Sequence, residues 1–253
     1  MDLGLGDRVY LVSNVTSLLG STCARTLADE GALLVLTDAD EDQLAELAPS
    51  IGERDRMLLV PGDLTDAGTE TRLVAAANAR FGRLDGAIIS CGGGDAPEAS
   101  TLAEAPDTLW RENFERGLLA PVRLARTVGR IATGEGASIV LTLASTVHSP
   151  VGGAGVANGL RPGLSMAGKT LADELGPRGV RVNSVLCGAV DDGGVDADFF
   201  ADEGADSTLD AVPLRRRGQP EEFARAAVFL ISPAASFITG TALTVDGGQD
   251  RVL

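Results

Sequence analysis

The chain has 253 residues, 44% of them apolar and 4% aromatic, which is enough for one large α/β domain with a single buried core. Its 21 basic and 36 acidic residues give a net charge of −15 at pH 7. A surface this acidic repels nucleic acids and anionic membranes, so we expect neither as a partner.

The N-terminal sequence MDLGLGDRVYLV has no basic region followed by a long apolar core. No segment approaches the ~18 apolar residues of a membrane span. The cysteines, Cys23, Cys91 and Cys187, are far apart in the sequence and form no CxxC pair, so neither a disulfide framework nor a metal site is expected. We predict a cytoplasmic protein without a bound metal.

Short apolar runs alternate with amphipathic stretches along the chain, a pattern typical of βαβ units. The runs predict seven strands: RVYLVS, ALLVLTD, RMLLVPGD, GAIISC, ASIVLTLAS, RVNSVLCG and ALTVDGG. With no internal repeat or linker, residues 1 to 253 form one predicted domain. The expected fold is a Rossmann-like, doubly wound, seven-stranded parallel sheet with helices on both faces.

Helices are predicted between these strands. The first follows Gly20 and stops at Gly31, and the second opens with Asp40 and Gln43 in capping-box spacing. Four more are predicted at GTETRLVAAANARFG, DTLWRENFERGLLAPVRLARTVG, PGLSMAGKTLADELG and PEEFARAAVFLI. In the helix after Pro162 an apolar stripe is expected from Leu164, Gly168, Leu171, Ala172 and Leu175.

Residues 189 to 212 are acidic, contain glycines and have no clear periodicity. This segment is either a lid over a site or a solvated surface excursion. The following LRRRG, residues 214 to 218, is either an arginine clamp for a phosphate or a partner for the acidic segment beside it.

From Asp7 to Gly248 the chain resembles the short-chain dehydrogenase/reductase family, whose members bind NAD(P) in a doubly wound sheet. The most specific part is LADELGPRGVRVNSVLCG, followed by PLRRRGQPEEFARAAVFLISPAASFITGTALTVDGG. Where the family has TGxxxGxG, this chain has Ser13, Asn14, Leu18 and Gly20. Asn14 tolerates a left-handed backbone, whereas Leu18 adds bulk where a glycine lets the pyrophosphate approach. We expect dinucleotide binding to be weak or absent.

The family's proton-transferring Tyr and the Lys four residues later fall on Ala157 and Arg161. The family's helix asparagine falls on Gly117. Because Tyr10 is the only tyrosine and Lys169 the only lysine, no other Tyr-x-x-x-Lys pair exists. The resemblance therefore implies a cleft that has lost its proton donor.

Two carboxylates and one glycine stand at further cofactor positions of the family. Asp38 falls where the ribose hydroxyls would be held, and Asp63 where the adenine amine would be held. Each has an alternative interpretation as a helix N-cap, which we favour. Gly92 remains from the family's NNAG segment, which reads Ile89, Ser90, Cys91 and Gly92 here.

Ser145 and His148 follow the fifth predicted strand. The family's substrate-orienting serine maps to Ala144 or Ser145. A hydrolase would use Ser145 as nucleophile and His148 as base, but it would need an orienting carboxylate and an oxyanion hole. The alternative is that the spacing arises by chance at a strand end, and we favour it.

Retained scaffold and lost chemistry together indicate a catalytically degenerate subunit. We expect it to pair with an active, NAD-binding paralogue in a hetero-oligomer, most simply a tetramer, through residues 106 to 132, 157 to 176 and the closing ASFITGTALTVDGG. Such two-subunit enzymes in the family act on hydroxyacyl thioesters, the (hydroxybenzyl)succinyl-CoA dehydrogenase among them. The alternatives are a self-standing atypical reductase, a cofactor-free isomerase or lyase using Ser145 and His148, and a ligand-sensing protein.

Overall fold

The computed structural model describes residues 2–90, 101–132, 137–150, 154–191 and 209–252. Seven parallel strands form one sheet in the order β3-β2-β1-β4-β5-β6-β7. They are β1 (Val9–Ser13), β2 (Leu33–Thr37), β3 (Met57–Leu59), β4 (Gly86–Ser90), β5 (Ser138–Ala144), β6 (Arg181–Cys187) and β7 (Ala242–Val245). All seven predicted strands are confirmed, and the strand order reverses between β1 and β4.

Seven helices pack on the sheet within the described residues. They are α1 (Leu18–Asp29), α2 (Glu41–Leu47), α3 (Thr69–Phe81), α4 (Asp107–Phe114), α5 (Ala120–Ile131), α6 (Gly155–Leu175) and α7 (Pro220–Ile231). A π-helical turn, Glu115–Leu119, joins α4 to α5. The doubly wound single domain predicted from the sequence is therefore confirmed.

Alternate residues of each strand enter two separate cores. Tyr10 and Val12 of β1 face α1 and α7, where Cys23, Leu27 and Phe223 are buried. Val9 and Leu11 enter the second core, which is built from α3, α5 and α6. Because both sheet faces are covered, the strands are nearly continuous apolar runs. Among the exceptions are Asn183 and Ser184, which are buried in the middle of β6.

Helix α1 begins at Leu18, three residues before the predicted start after Gly20. Ser17 is its N-cap, and the Ser17 hydroxyl accepts a hydrogen bond from Gly20 N at 3.1 Å. A capping serine satisfies a first-turn N–H and so fixes where a helix begins. Leu18 is therefore a helix residue and not part of the preceding loop.

Two other helices differ from prediction. The single helix expected over residues 107 to 129 is interrupted by the π-helical turn that contains Gly117. Helix α6 begins at Gly155, seven residues before the predicted start, and Pro162 lies inside it. Its predicted stripe of Leu164, Gly168, Leu171, Ala172 and Leu175 is buried. Among the described helices, none combines the length and apolarity needed to cross a bilayer.

Candidate functional site

A cleft of about 230 Å³ opens at the carboxyl ends of β1 to β4, where the strand order reverses. In open α/β sheets this switch point is where ligands bind. The strand side contributes Asn14, Thr37, Asp38, Ala39, Gly62, Asp63, Leu64, Thr65 and Ser90. The helix side contributes Asn113, Arg116, Gly117, Ala120, Pro121, Ala157, Leu160 and Arg161. The cleft therefore gathers seven of the residues singled out in the sequence: Asn14, Asp38, Asp63, Ser90, Gly117, Ala157 and Arg161.

The β1–α1 connection is built tightly against the start of α1. Asn14 has a φ of 49°, the left-handed conformation expected for it. A Cβ on Gly20 would lie 2.3 Å from the Asn14 carbonyl oxygen, so only glycine fits where the helix passes the loop. Leu18 does not line the cleft and is 39% exposed at the first position of α1.

Asp38 ties the end of β2 to the same loop. Its Oδ2 accepts hydrogen bonds from the Thr16 N–H at 2.9 Å and the Thr16 hydroxyl at 2.8 Å, and its Oδ1 accepts Ala39 N–H. The prediction that Asp38 caps a helix is wrong, because the N-cap of α2 is Asp40, which accepts Gln43 N–H. Asp38 is buried and instead holds the β1–α1 loop in place through its hydrogen bonds with Thr16.

Asp63 closes a turn after β3. Its Oδ1 accepts the backbone N–H and the hydroxyl of Thr65, both at 2.8 Å. The Thr65 N–H holds the pKa of Asp63 below its ordinary value, with the Thr65 hydroxyl and the charge of Arg116 acting in the same direction. The predicted N-cap role is wrong here too, since α3 is preceded by Gly68.

The opposite wall holds the positions where the resemblance places the reaction chemistry. Ala157 and Arg161 lie one turn apart on α6, and Gly117 lines the cleft from the π-helical turn. A Cβ on Gly117 would meet no atom within 4 Å. Burial lowers the pKa of the Arg161 guanidinium. The wall thus combines small side chains with a partly desolvated cation.

The only tyrosine and the only lysine lie elsewhere. Tyr10 is fully buried in β1, and burial raises the pKa of its hydroxyl to about 12. Lys169 lies two turns beyond Arg161 on α6, and a Cβ on Gly240 would come 2.7 Å from its Nζ. Neither residue lines the cleft. A Tyr–Lys pair of the family's kind is therefore absent from the whole sequence and from this site.

Ser145 and His148 lie at the end of β5, outside the cleft lining. His148 N–H donates to the Ser145 carbonyl at 3.2 Å. The His148 Nδ1 hydrogen-bonds Asp250 Oδ2, whose carboxylate also accepts Val252 N–H. The His148 bond, then the Val252 bond, holds the pKa of Asp250 below its ordinary value. The orienting carboxylate that an acid–base site needs is thus present for His148.

The described cysteines are not candidate nucleophiles. Cys23 of α1 and Cys187 of β6 are both buried free thiols. Burial raises the pKa of each to about 12, so both stay protonated at neutral pH. Their role is packing in the core beside α1.

Several sequence predictions fall outside the described residues. Cys91, Gly92 and residues 192 to 208 of the acidic segment are among them. At the end of that segment, Asp210 pairs with Arg215 at 2.5 Å, as expected if LRRRG serves the acidic segment. Arg216 pairs instead with Glu222 of α7 at 2.6 Å.

Sequence reasoning missed three contributors to these sites. Thr16 carries no motif, and only the structure reveals that it faces Asp38. Arg116 precedes Gly117 directly, so its place in the cleft follows once Gly117 is assigned. Asp250 is 102 residues from His148, and no local pattern connects them.

The chain and its fold are similar to those of known proteins. A family profile described as Enoyl-(Acyl carrier protein) reductase matches residues 15–250. An uncharacterized oxidoreductase of Mycobacterium tuberculosis is 34% identical over 96% of this chain and 91% of its own. The cis-4-hydroxycyclohexanecarboxylate dehydrogenase of Sinomonas cyclohexanicum is 32% identical over 100% of both chains.

One of the solved structures with a similar fold is described by its catalytic center. The short chain oxidoreductase from Pseudomonas aeruginosa PAO1, described as containing an atypical catalytic center, has a TM-score of 0.87 at 26% identity. The match covers 99% of this chain and 100% of that chain. A protein with a similar fold is therefore described as having an atypical catalytic center.

Proposed function

The chain belongs to the short-chain dehydrogenase/reductase family of oxidoreductases, and on that premise we propose that it is a degenerate subunit of that family. In this proposal it performs no tyrosine-dependent hydride transfer and pairs with an active, NAD-binding paralogue. The expected complex is a hetero-oligomeric dehydrogenase of the hydroxyacyl-thioester type. A scaffold alone does not specify a reaction, so the proposal depends on the site.

One observation carries the proposal: the cleft wall has Ala157 and Gly117 where family members have a tyrosine and an asparagine. Alanine has no proton to donate, and glycine has no side chain to position a water. Arg161 cannot replace the missing acid, because a guanidinium does not deprotonate in the working range of an enzyme. The wall thus offers a charge but no proton donor.

The loop that would hold the pyrophosphate supports weak or absent dinucleotide binding. Ser17 already accepts the Gly20 N–H, one of the first-turn donors that a phosphate would use. Leu18 stands partly exposed at the same helix end. Asp38 uses Oδ2 for Thr16 and Oδ1 for Ala39, which leaves little acceptor capacity for a ribose. Asp38 and Asp63 lie where a nucleoside would be held. The β1–α1 loop, however, does not fit the phosphates of a dinucleotide.

Exposed apolar side chains support a role in assembly. Phe114 is the last residue of α4, and Ile131 is the last residue of α5. Met166 lies on α6, and Phe237 and Leu243 lie in the closing segment ASFITGTALTVDGG. These are the three segments expected to form subunit contacts. Phe237 is fully exposed, and β7 is an edge strand paired only with β6. Exposed apolar edges of this kind are usually covered by another chain.

The test is co-expression of the tagged chain with an intact family member encoded beside it. We expect the two to purify as one oligomer, and the partner's dehydrogenase rate to fall when this chain is omitted. A stable homo-oligomer of this chain that turns over a hydroxy or keto substrate with NAD(P) by itself would contradict the proposal.

The Asp250–His148 pair favours a second candidate, a cofactor-free isomerase or lyase. The carboxylate fixes the proton on Nδ1 and leaves Nε2 as a base, which is the arrangement used for proton abstraction. Ser145 lies three residues before His148, and among the described residues no hydrogen bond joins the Ser145 hydroxyl to the imidazole ring. In this candidate His148 is the base and Ser145 positions the substrate.

The second candidate has its own test. If any activity is found, His148→Gln and Asp250→Asn should each reduce kcat at least tenfold, while Ser145→Ala acts mainly on KM. Full activity in His148→Gln would rule out this mechanism and leave the subunit proposal unaffected.

A further inference from the structure

We propose that an exposed arginine face, made of Arg126 and Arg130 of α5 together with Arg178, docks an acidic helix of a different protein chain. The inference rests on the proposed function in one respect, namely that the chain has a partner other than a second copy of itself. It adds the chemistry of the partner's contact surface, which the proposed function leaves open.

The first observation is the charge of α5. The chain as a whole has a net charge of −15, yet the sequence of α5, APVRLARTVGRI, has three arginines and no acidic residue. It is the only one of the seven described helices that has basic but no acidic residues. Helix α5 is therefore a cationic element in an anionic protein.

The second observation is where these charges lie on the helix. Leu124 and Val128 of α5 are buried in the second core, whereas Arg126 and Arg130 are exposed. Four residues of helix separate the two arginines by one turn, about 6 Å along the axis. Because like charges at this spacing destabilise a helix, the stability of α5 does not explain the pair.

The third observation concerns the partners of the arginines. Arg123, the first arginine of α5, pairs with Glu115 at 2.8 Å. Within the part of the chain that the structure describes, neither Arg126 nor Arg130 has a side-chain hydrogen bond or an ion pair. Arg178 Nη2 donates to the Arg130 carbonyl oxygen at 2.8 Å, which holds a third exposed guanidinium at the end of α5. The arginine face thus has cations without carboxylates.

The geometry of the pair fits a helix on the partner's side. Two acidic residues four positions apart on a helix are also about 6 Å apart along its axis, so both could pair with Arg126 and Arg130 at once. A guanidinium binds a carboxylate through two parallel hydrogen bonds. Ile131, the next residue of α5, is 40% exposed and offers an apolar contact beside the charges.

The same charges disfavour other occupants. In a symmetric dimer each copy presents the same surface to the other, so a contact through α5 would place arginines against arginines. Like charges opposed in this way weaken an interface. Nucleic acid is repelled by the net charge of −15. An acidic helix of another protein meets neither obstacle.

The test is fluorescence anisotropy of a labelled helical peptide of Ala, Leu and Glu, with Glu at every fourth position, titrated with the purified chain. We expect saturable binding, weakened about fivefold or more in Arg126→Gln/Arg130→Gln. The matched control is Arg54→Gln/Arg225→Gln, which removes the same charge from two exposed arginines before β3 and on α7. The control should bind within about twofold of the wild type.

Several results would overturn the inference. They are no saturable peptide binding by the wild type, and an equal loss of binding in the two double variants. Equal affinity for a single-stranded oligonucleotide of the same charge would also overturn it, as would a wild-type dimer that dissociates in Arg126→Gln/Arg130→Gln. Because all four positions are exposed, circular dichroism should show both variants folded.

The proposed function can fail separately. Peptide binding that depends on Arg126 and Arg130, without co-purification of an active family member, would contradict the proposed function and leave the acidic contact in place.

Discussion

Asp38 and Thr16 form a two-point contact in which one carboxylate oxygen accepts both the backbone N–H, at 2.9 Å, and the hydroxyl, at 2.8 Å. This contact locks the β1–α1 loop to the end of β2. Asp38 was expected to bind a cofactor or to cap a helix, but in the structure it stabilises the β1–α1 loop.

Asp38→Asn should lower the free energy of unfolding by about 2 kcal/mol, because hydrogen bonds to a charged, buried acceptor are the stronger kind. Chemical denaturation monitored by circular dichroism measures the change. Asp40→Asn is the control, since asparagine caps a helix as well as aspartate does, and it should change stability by less than about 0.5 kcal/mol. Equal effects of the two substitutions would show that the loop contact carries no stability.

Two glycines should respond to alanine in opposite ways. In Gly20→Ala the new Cβ would lie 2.3 Å from the Asn14 carbonyl oxygen, so we expect a loss of about 2 kcal/mol or more from backbone displacement. In Gly117→Ala the new methyl enters open space, and replacing a helical glycine should gain up to about 1 kcal/mol. Thermal unfolding of both variants tests the pair, and destabilisation by Gly117→Ala would mean that the π-helical turn requires glycine.

The His148–Asp250 contact should make stability depend on acid pH. The pKa of Asp250 is lowered in the folded state, so its contribution is present above the unfolded pKa of about 3.9 and is lost as the pH falls through the lowered value. Wild type should therefore be more stable than Asp250→Asn at pH 6, and the difference should shrink as the pH falls below the unfolded pKa and through the lowered value. If the stability difference between the two proteins did not change with pH, the ionised Asp250 carboxylate would not be the source of the stabilisation.

The exposed apolar surface should govern assembly. Phe237→Asp places a charge on a fully exposed ring position next to the edge strand, and we expect it to shift sedimentation toward smaller species without changing the circular dichroism spectrum. Leu214→Asp is the control, because Leu214 is also exposed but lies outside the three contact segments. Unchanged sedimentation of Phe237→Asp would place the subunit contact elsewhere.

The fold was predictable because strand and helix periodicity is a local property. The apolar runs gave all seven strands, and Gly31, with a φ of 78°, ends α1 as expected. The start of α1 was missed because Ser17 was not identified as a cap. The π-helical turn Glu115–Leu119 was missed because the sequence was interpreted as one continuous helix across it. Helix boundaries depend on such contacts more than on composition.

The site was predictable only in part. Counting from the family motif singled out Gly117, Ala157 and Arg161, and in the structure all three line one cleft. The partners of Asp38 and His148 were not predictable, since Thr16 and Asp250 reach them only through the folded topology. Long-range hydrogen bonds of this kind leave no local signal in a single sequence.

The most direct test of the central claim is a calorimetric titration of the chain alone with NADH and then NADPH, repeated with Leu18→Gly. We predict no saturable binding by the wild type up to millimolar cofactor, and at least a tenfold gain in affinity once the side chain at the start of α1 is removed. Micromolar binding by the wild type would contradict the account, because the loop would then accept a pyrophosphate despite Leu18 and the Ser17 cap.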